Sequence, residues 1–170
     1  MKRFEEVYDP QKLKGLSQVI AAAASHHRLA WIHPFLDGNG RVTRLMTHAY
    51  LKKAKIDGHG LWTVSRGFAR NREEYLASLA GADQPRRGDL DGRGNLTQAG
   101  LLGFCKFFLK TAVDQIDFMS GLLSLDGMQK RIQAVVDRQV SFGALKPETG
   151  HLLRDLFLRG EIARGEIPSI

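Results

Sequence analysis

Residues 32–45 read IHPFLDGNGRVTRL, and this stretch decides how the chain folds around it. Pro34 disfavours the helical conformation at the residue before it, so a helix arriving from the N-terminal side should end near Ile32. The GNG triplet at residues 38–40 follows, and glycine adopts positive φ without a steric penalty, which favours a turn. The stretch therefore predicts a turn between two helices, the second running from about residue 40 to residue 54.

Apolar residues at helical spacing continue on both sides of this turn. In the first helix, Leu16 and Ile20 lie on the predicted apolar stripe together with His27, whereas His26 is predicted at the surface. In the second helix, Leu45 lies on the predicted apolar side.

Further helical patterns fill most of the remaining chain. They cover residues 71–82 with Asn71 as N-cap, residues 101–123 with Gln115 off the apolar stripe, residues 126–140 and residues 147–160. DGRGN at residues 91–95 echoes the first turn without its histidine and arginines, and we interpret it as a turn with Asn95 capping the long helix. GLWTVS at residues 60–65 is the only strand candidate. The sequence predicts an all-α fold.

The composition bounds the class of protein. The chain has 170 residues, of which 43% are hydrophobic and 25% charged, as in a globular domain with one core. No apolar run approaches the roughly 20 residues of a membrane span, and the N-terminus lacks a signal-peptide pattern, so we expect a cytoplasmic protein with no membrane partner. The single cysteine, Cys105, cannot form an internal disulfide and is predicted to be buried and inert.

The formal net charge of +7 raises the question of a nucleic-acid partner. The excess of Lys and Arg over Asp and Glu lies mainly in residues 1–60, the part of the chain that holds the turn. A basic tail or a long basic stripe is not visible. This distribution suits a phosphate-bearing ligand better than DNA.

The turn places phosphate-binding groups at the start of a helix. A glycine-rich turn there presents free backbone N–H groups and a partial positive charge, which favour an anion in a nest formed by Gly38, Asn39 and Gly40. Arg41 and Arg44 are three residues apart and are predicted to project to one face, where they can bind further phosphate oxygens.

Two further side chains complete a set suited to phosphoryl or nucleotidyl transfer. Asp37 offers a carboxylate oxygen of the kind that Mg²⁺ prefers. His33 can take a proton from an attacking hydroxyl near neutral pH. We take residues 37–44, including Val42 and Thr43, as the candidate phosphate-binding segment. A tight turn with solvated arginines is the plainer interpretation, but so many specified residue types in one short stretch argue against it.

HPFLDGNGRVTR resembles the Fic (Fic/Doc) signature H-x-F-x-[DE]-G-N-G-R-x-x-R at every fixed position. Members with this form are typically AMP-transferases, which move AMP from ATP onto a hydroxyl side chain of a target protein. The resemblance implies a Fic-type helical bundle with the active-site loop between two central helices. It further implies His33 as general base, ATP as substrate, Mg²⁺ bound by Asp37, and a target protein with a Ser, Thr or Tyr hydroxyl.

The resemblance also implies roles for residues around the motif. Phe35 would be a core residue that pins the loop. RNREEYLASLAGAD is similar to the family segment that follows the signature helix, and Tyr75, Leu76 and Asp83 match positions that border the adenine and ribose. For Tyr75, ordinary packing is an equal alternative.

Two family features are not visible in residues 1–170: a flap that aligns the target, and an inhibitory helix with the pattern [ST]-x-x-x-E-[GN]. Either both lie on residues outside this chain, where an antitoxin-like or inhibitory segment would also lie, or the protein has lost them. We therefore expect a catalytic core at residues 1–125 that is N-terminally incomplete. Residues 126–170 form a helical extension, and HLLRDLFLRGEIARGEI is similar to the start of a winged-helix module.

Two alternatives to an active transferase stay open at this point. One is a nucleotide-sensing transcriptional regulator, for which DNA would be a partner only if a complete C-terminal winged helix exists. The other is a catalytically inactive Fic remnant, which would bind ATP without transferring AMP.

Overall fold

The computed structural model describes the backbone of residues 1–169 and the side chains of residues 1–166. Helices make up 71% of it and no β-strand occurs in this part of the chain, so the predicted all-α fold is confirmed. The helices are α1 Lys2–Tyr8, α2 Leu16–Ile32, α3 Asn39–Lys53, α4 Val64–Arg70, α5 Arg72–Ala82, α6 Gln98–Leu123, α7 Leu125–Ser141 and α8 Thr149–Arg159.

The predicted turn lies where the local sequence rules put it. α2 ends at Ile32, and α3 begins at Asn39 with Gly38 as its N-cap. α2 and α3 pack against each other. The loop of residues 33–38 therefore joins two packed helices at one end of their contact.

The sequence patterns did not predict α1 or α4. Each has seven residues, which is too short for a helical repeat to stand out. α4 begins inside GLWTVS, the strand candidate, and that prediction is wrong. The reason is a cap: Thr63 Oγ1 accepts a hydrogen bond from Ser65 N at 3.3 Å and starts a helix there.

The chain divides into two compact units, residues 1–117 and the part from Phe118 on. The core of the first unit is aromatic. Phe68 of α4 stacks on Tyr75 of α5 with ring centroids 4.5 Å apart, and Phe108 of α6 meets Phe68 edge-on. Fully buried alanines on α2, such as Ala22, let this helix approach the aromatic cluster closely.

Half of the buried residues of α2 and α3 are polar, and the large apolar residues of the predicted stripes lie outside. Leu16 is 72% exposed and Leu45 is 69% exposed, while Ile20 is also exposed. The residues buried instead are Ala21, Ala22, Ala23, Ser25, His26, His27 and Leu29 on α2, with Asn39, Thr43, Thr47, Tyr50 and Leu51 on α3. His27 is buried as predicted. The surface prediction for His26 is wrong, because hydrogen bonds to both ring nitrogens satisfy it in the core.

α6 begins at Gln98, so the prediction of Asn95 as its cap is wrong. Thr97 Oγ1 accepts from Gly100 N at 3.2 Å, and Asp91 Oδ1 accepts from Ala99 N at 2.9 Å. The hydrogen bond from Ala99 is the largest of several that lower the pKa of Asp91 to about 2. These two oxygens bond the free N–H groups of the first turn, which leaves Asn95 no part in it.

Cys105 and Gln115, further along α6, test how well the sequence predicts burial. Cys105 is buried as predicted, and burial raises the pKa of its thiol. Gln115, predicted off the apolar stripe, is also buried, because its Oε1 accepts from Arg66 Nη1 at 2.8 Å. A satisfied amide can occupy a core position that hydrophobic spacing does not reveal.

The second unit holds α7 and α8, which pack on each other with Val136 buried. α8 ends at Arg159, and Gly160 follows at φ 81°, as predicted from the glycine. The division of domains at residue 125 and the winged-helix comparison stay predictions. None of the helices described here is both long enough and apolar enough to cross a membrane.

Candidate active site

His33 opens the candidate site directly after α2. Its φ of 51° lies in the left-handed region, which non-glycine residues rarely adopt. Nδ1 lies 3.3 Å from Ala30 O. A carbonyl oxygen can only accept, so this contact places the ring proton on Nδ1 and leaves Nε2 as the acceptor. The side chain is exposed, and Nε2 is therefore open to an incoming hydroxyl.

Asn39 holds the loop in shape. Its Oδ1 accepts from Phe35 N at 2.9 Å, and its Nδ2 donates to Phe35 O at 2.6 Å. Asn39 is buried, whereas Phe35 is 50% exposed. The implied role of the Phe35 ring as a core pin is therefore wrong, because the Asn39 amide fixes this position through the Phe35 main chain.

Two glycines let two guanidinium groups approach the loop backbone. Gly38 has φ 81°, a conformation that glycine adopts freely. A Cβ on Gly38 would lie 3.3 Å from Arg41 Nη2, and one on Gly40 would lie 3.4 Å from Arg44 Nη1. Each glycine thus lies close to one of the two arginines, and the contact at Gly38 is the tighter one.

The start of α3 leaves main-chain donors available. Val42 N donates to Gly38 O at 3.0 Å, so the N–H groups of Asn39, Gly40 and Arg41 precede the helical hydrogen-bond ladder. Such groups favour an anion. Val42, in contrast, has its N–H engaged within the helix.

Like Val42, Thr43 is a predicted phosphate-binding residue whose polar side-chain or main-chain group is not available at the loop. It is 1% exposed, and its Oγ1 has no hydrogen-bond partner among the described residues. A side chain enclosed in this way faces the core. We therefore do not carry Val42 or Thr43 into the proposed site.

Asp37 and Arg41 form an exposed ion pair beside the loop. Asp37 Oδ2 lies 3.1 Å from Arg41 Nη2, with the two side chains 93% and 74% exposed. Solvent screens such a pair strongly, so both charged groups can exchange partners readily. In residues 1–169, no three His, Cys, Asp or Glu side chains group closely enough to hold a metal ion. Asp37 is a single carboxylate.

Arg44 has different surroundings from Arg41, although the spacing predicted one shared face. Its guanidinium lies near the hydroxyl of Tyr75 on α5, where burial raises the pKa of the phenol and the arginine charge opposes that rise. It also lines a cavity of about 370 Å³. The other residues lining this cavity are Ser65, Phe68, Ala69, Arg72, Tyr75 and Leu76. One arginine therefore lies on the open side of the loop and the other in a partly apolar cavity.

The loop and both flanking helices match known proteins. Residues 1–51 match the model of the Fic/DOC family. We call residues 1–51 the Fic/DOC segment because they match this family model. A stretch of 54 residues is 43% identical to the protein adenylyltransferase Fic of Drosophila grimshawi and, equally, to that of Drosophila erecta. It covers 32% of this chain and 11% of each relative, and no solved structure matches the chain.

The Fic/DOC segment is joined to α5 by His27. Its Nε2 lies 2.9 Å from Asp83 Oδ1, with His27 fully buried and the Asp83 side chain 48% exposed. Burial lowers the pKa of His27 and outweighs the opposing effect of Asp83. Of the residues predicted to border the adenine, Tyr75 and Leu76 line the Arg44 cavity. Asp83 instead faces His27 and does not line this cavity.

A second buried histidine of the Fic/DOC segment makes two hydrogen bonds. His26 Nδ1 lies 2.7 Å from Thr47 Oγ1, and Nε2 lies 2.9 Å from Tyr75 Oη. Burial lowers the pKa of His26 to about 3, and the charge of Arg44 acts in the same direction. The ring is therefore neutral across the physiological pH range.

Sequence patterns did not place His26, Thr47 or Arg72 in this site. For His26 one signal was available, since it lies in the helix that leads directly into the loop. Arg72 carried no such signal. Its place in the cavity depends on how α5 packs beside α3, and no local pattern encodes that packing.

We expect the free energy of unfolding to fall as the pH drops from about 7.5 to about 5. A histidine in the unfolded chain titrates near pH 6.5, whereas His26 in the folded protein stays neutral down to about pH 3. Between these values the unfolded chain binds more protons, so stability is complete above pH 6.5 and is lost as the pH falls. His26 alone contributes a loss of about 2 kcal/mol at pH 5.

Urea unfolding at the two pH values measures this loss. The control is His26→Gln, whose amide is neutral at both. The variant should be less stable than the wild type at about pH 7.5 but should lose less stability on acidification. An equal loss in both proteins would show that another group titrates.

Proposed function

We propose that this chain contains the catalytic core of a protein AMP-transferase, which moves AMP from ATP to a Ser, Thr or Tyr hydroxyl of a target protein. The observation that carries the proposal is that His33, an exposed base, opens the short loop that ends at the free N–H groups of α3. The relatives named protein adenylyltransferase Fic support it, at 43% identity over 54 residues. A base beside an anion-binding helix terminus suits attack on a phosphate.

In the proposed reaction, His33 Nε2 takes the proton from the target hydroxyl. The hydroxyl oxygen forms a bond to the α-phosphorus of ATP, and the bond from this phosphorus to the oxygen of the β-phosphate breaks. Pyrophosphate leaves and AMP remains esterified to the target. The proton on His33 then passes to solvent. The contact between Nδ1 and Ala30 O keeps the ring in the tautomer that can accept.

The groups around the loop would stabilise the negative charge of the phosphates. The N–H groups of Asn39, Gly40 and Arg41 supply main-chain donors at the positive end of the α3 dipole. Arg41 adds a guanidinium on the open side once it exchanges Asp37 for a phosphate oxygen. Arg44 adds a second from the cavity side. Charge-assisted hydrogen bonds of this kind are the strong ones in phosphate binding.

Asp37 fits a magnesium ion that arrives with ATP. Proteins hold Mg²⁺ through one or two carboxylates together with substrate phosphates and water, so a cluster of three protein ligands is not needed. Asp37 offers one exposed carboxylate beside the loop. The ion, when bound, would supply positive charge next to the phosphate oxygens.

We assign the adenosine end of ATP to the cavity that Arg44 lines. Phe68 and Leu76 give it apolar walls, and its volume of about 370 Å³ lies in the range of small-molecule sites. The second arginine of this cavity, Arg72, adds positive charge for an anionic nucleotide. This assignment places the adenine beside α5 and the phosphates at the loop.

Incubation with ATP labelled at either the α- or the γ-phosphate tests the function. We expect a protein target, or the chain itself, to acquire label from α-³²P-ATP and none from γ-³²P-ATP. Transfer of the α-phosphate as AMP retains that label, while the γ-phosphate leaves with pyrophosphate. Label from the γ position alone would replace AMP transfer by a kinase reaction. ATP binding without any transfer would identify an inactive remnant.

A further inference from the structure

We propose that a buried relay of hydrogen bonds through Tyr75, His26 and Thr47 holds the Arg44 guanidinium in place. These three residues are then positioning residues for a phosphate-binding arginine, and two of them, His26 and Thr47, are fully buried outside the cavity that Arg44 lines. The role of Arg44 toward ATP rests on the proposed function. The relay itself rests only on contacts within the protein.

The direction of every hydrogen bond in the relay is fixed by its two ends. At one end is the carbonyl oxygen of Thr43, which can only accept, so Thr47 Oγ1 donates to it at 2.9 Å. Thr47 has one hydroxyl proton, so its oxygen must accept from His26 Nδ1 at 2.7 Å. His26 then carries its proton on Nδ1.

The second half of the relay follows from that tautomer. With its proton on Nδ1, His26 offers a lone pair at Nε2, and the Tyr75 hydroxyl donates to it across 2.9 Å. The phenol oxygen keeps its lone pairs, and the donor that lines the same cavity is Arg44, whose guanidinium can only donate. The donors therefore run one way, from Arg44 through Tyr75, His26 and Thr47 to Thr43 O.

The relay closes on the helix where it starts. Thr43 precedes Arg44 on α3, while Tyr75 lies on α5 and His26 on α2. The Arg44 side chain is thereby tied to its own backbone through two other helices. Movement of α2 or α5 against α3 would change the position of the guanidinium.

The surroundings keep the relay dry and neutral. Aromatic rings enclose His26 with centroids 5.1 to 6.0 Å away. They belong to Phe68, Tyr75, Phe104 and Phe108. A second proton on His26 would require Nε2 to donate to Tyr75, which would reverse the bond. Burial opposes that protonation, and burial likewise raises the pKa of the Tyr75 phenol.

The opposite side of the guanidinium is bounded by Gly40. A Cβ there would lie 3.4 Å from Arg44 Nη1, so the side chain passes close to the loop backbone. Arg44 therefore lies between the Tyr75 hydroxyl and the N-terminal turn of α3. An arginine ordered before the ligand arrives loses less conformational entropy on binding, which favours affinity.

The first experiment measures Arg44 in the free protein, without nucleotide. The Arg44 Nε–H signal in ¹H–¹⁵N NMR spectra, assigned by its loss in Arg44→Lys, should be sharp and protected from exchange in the wild type. Tyr75→Phe keeps the ring that stacks on Phe68 and removes only the hydroxyl. We expect it to broaden the signal and speed its exchange with water.

Tyr50→Phe is the matched control. Like Tyr75, Tyr50 is a buried tyrosine, but it lies on α3. Its hydroxyl donates to Gln18 O at 3.1 Å, outside the relay. This variant should lose stability as Tyr75→Phe does and leave the Arg44 signal unchanged. Thr47→Val is a second variant that cuts the relay at its far end, and it should mobilise Arg44 although the hydrogen bonds of Thr47 go to His26 and Thr43.

The second experiment measures ATP binding by calorimetry. Tyr75→Phe should weaken ATP affinity about tenfold, as expected for the loss of one hydrogen bond to a charged group. In an Arg44→Ala background the same change should have little further effect, since the relay then positions nothing.

The outcomes separate the relay from the function. An unchanged Arg44 signal in both Tyr75→Phe and Thr47→Val, or an equal change in Tyr50→Phe, would overturn the relay. If the wild type fails to bind ATP, the proposed function fails, and the NMR comparison still decides whether the relay orders Arg44. Additive effects in the Arg44→Ala background would also count against it.

Discussion

Replacing His33 with alanine is expected to lower AMP transfer by about 10²- to 10⁴-fold, the usual contribution of a positioned general base. ATP binding should stay nearly unchanged. The His33 ring is exposed and its Nδ1 contacts only the Ala30 carbonyl, while Asn39 holds the loop from the other side. Label transfer from α-³²P-ATP and calorimetry of ATP binding measure the two quantities on the same preparation.

The chain offers a closely matched control in His59. It is an exposed histidine with φ 58°, as His33 is with φ 51°, and it lies outside the loop. Alanine at either position meets the same left-handed backbone, so the cost in stability should be similar. Only the change at His33 should reduce transfer. A loss of ATP binding in His33→Ala would mean that His33 holds the nucleotide and that its role as the base is wrong.

The loop was predictable because the rules that form it are local. Pro34 ends α2, and the residues around Gly38 permit the turn and the start of α3. The helix boundaries in this stretch therefore agree with the sequence prediction to within about a residue. The identity of the candidate base follows from the same short stretch.

What the sequence did not predict is how the helices bury their polar residues. Leu16 and Leu45 were placed inward because hydrophobic spacing assigns the larger apolar residue to the core. The structure buries His26 and Thr47 instead, and this is stable because each polar side-chain atom of these two residues has a partner on another helix. Such pairing joins residues far apart in the chain, so no window of sequence contains it.

The arginines show the same limit at the site itself. Spacing put Arg41 and Arg44 on one face, and their helical positions do lie side by side. Their surroundings differ because Asp37 pairs with Arg41, whereas Arg44 lines a cavity together with Tyr75 of α5. The contact with Asp37 joins residues four apart in the chain, so a local sequence pattern could predict it. The contact with Tyr75 depends on tertiary packing.

Replacing Gly100 with alanine is expected to lower the free energy of unfolding by about 1–3 kcal/mol, the range for overpacking a close contact. A Cβ on Gly100 would meet the carbonyl oxygen of Gly81, which belongs to the backbone of α5. It would also lie 2.5 Å from Thr97 Cγ2, and Thr97 is held by its cap bond to Gly100 N. Neither neighbour can rotate away, so α5 and α6 must separate. Urea unfolding measures the loss.

Gly103 supplies the control within the same helix. A Cβ there would meet nothing within 4 Å, so Gly103→Ala should stabilise α6 by about 0.5–1 kcal/mol through helix propensity. The two changes are chemically identical and should change the free energy of unfolding in opposite directions. Equal effects would mean that α5 and α6 do not pack as described. The change at Gly100 should also reach the site. α5 carries Tyr75, and α6 carries two of the rings around His26, Phe104 and Phe108. Separating these helices should therefore loosen Arg44, and ATP affinity should fall in Gly100→Ala but not in Gly103→Ala.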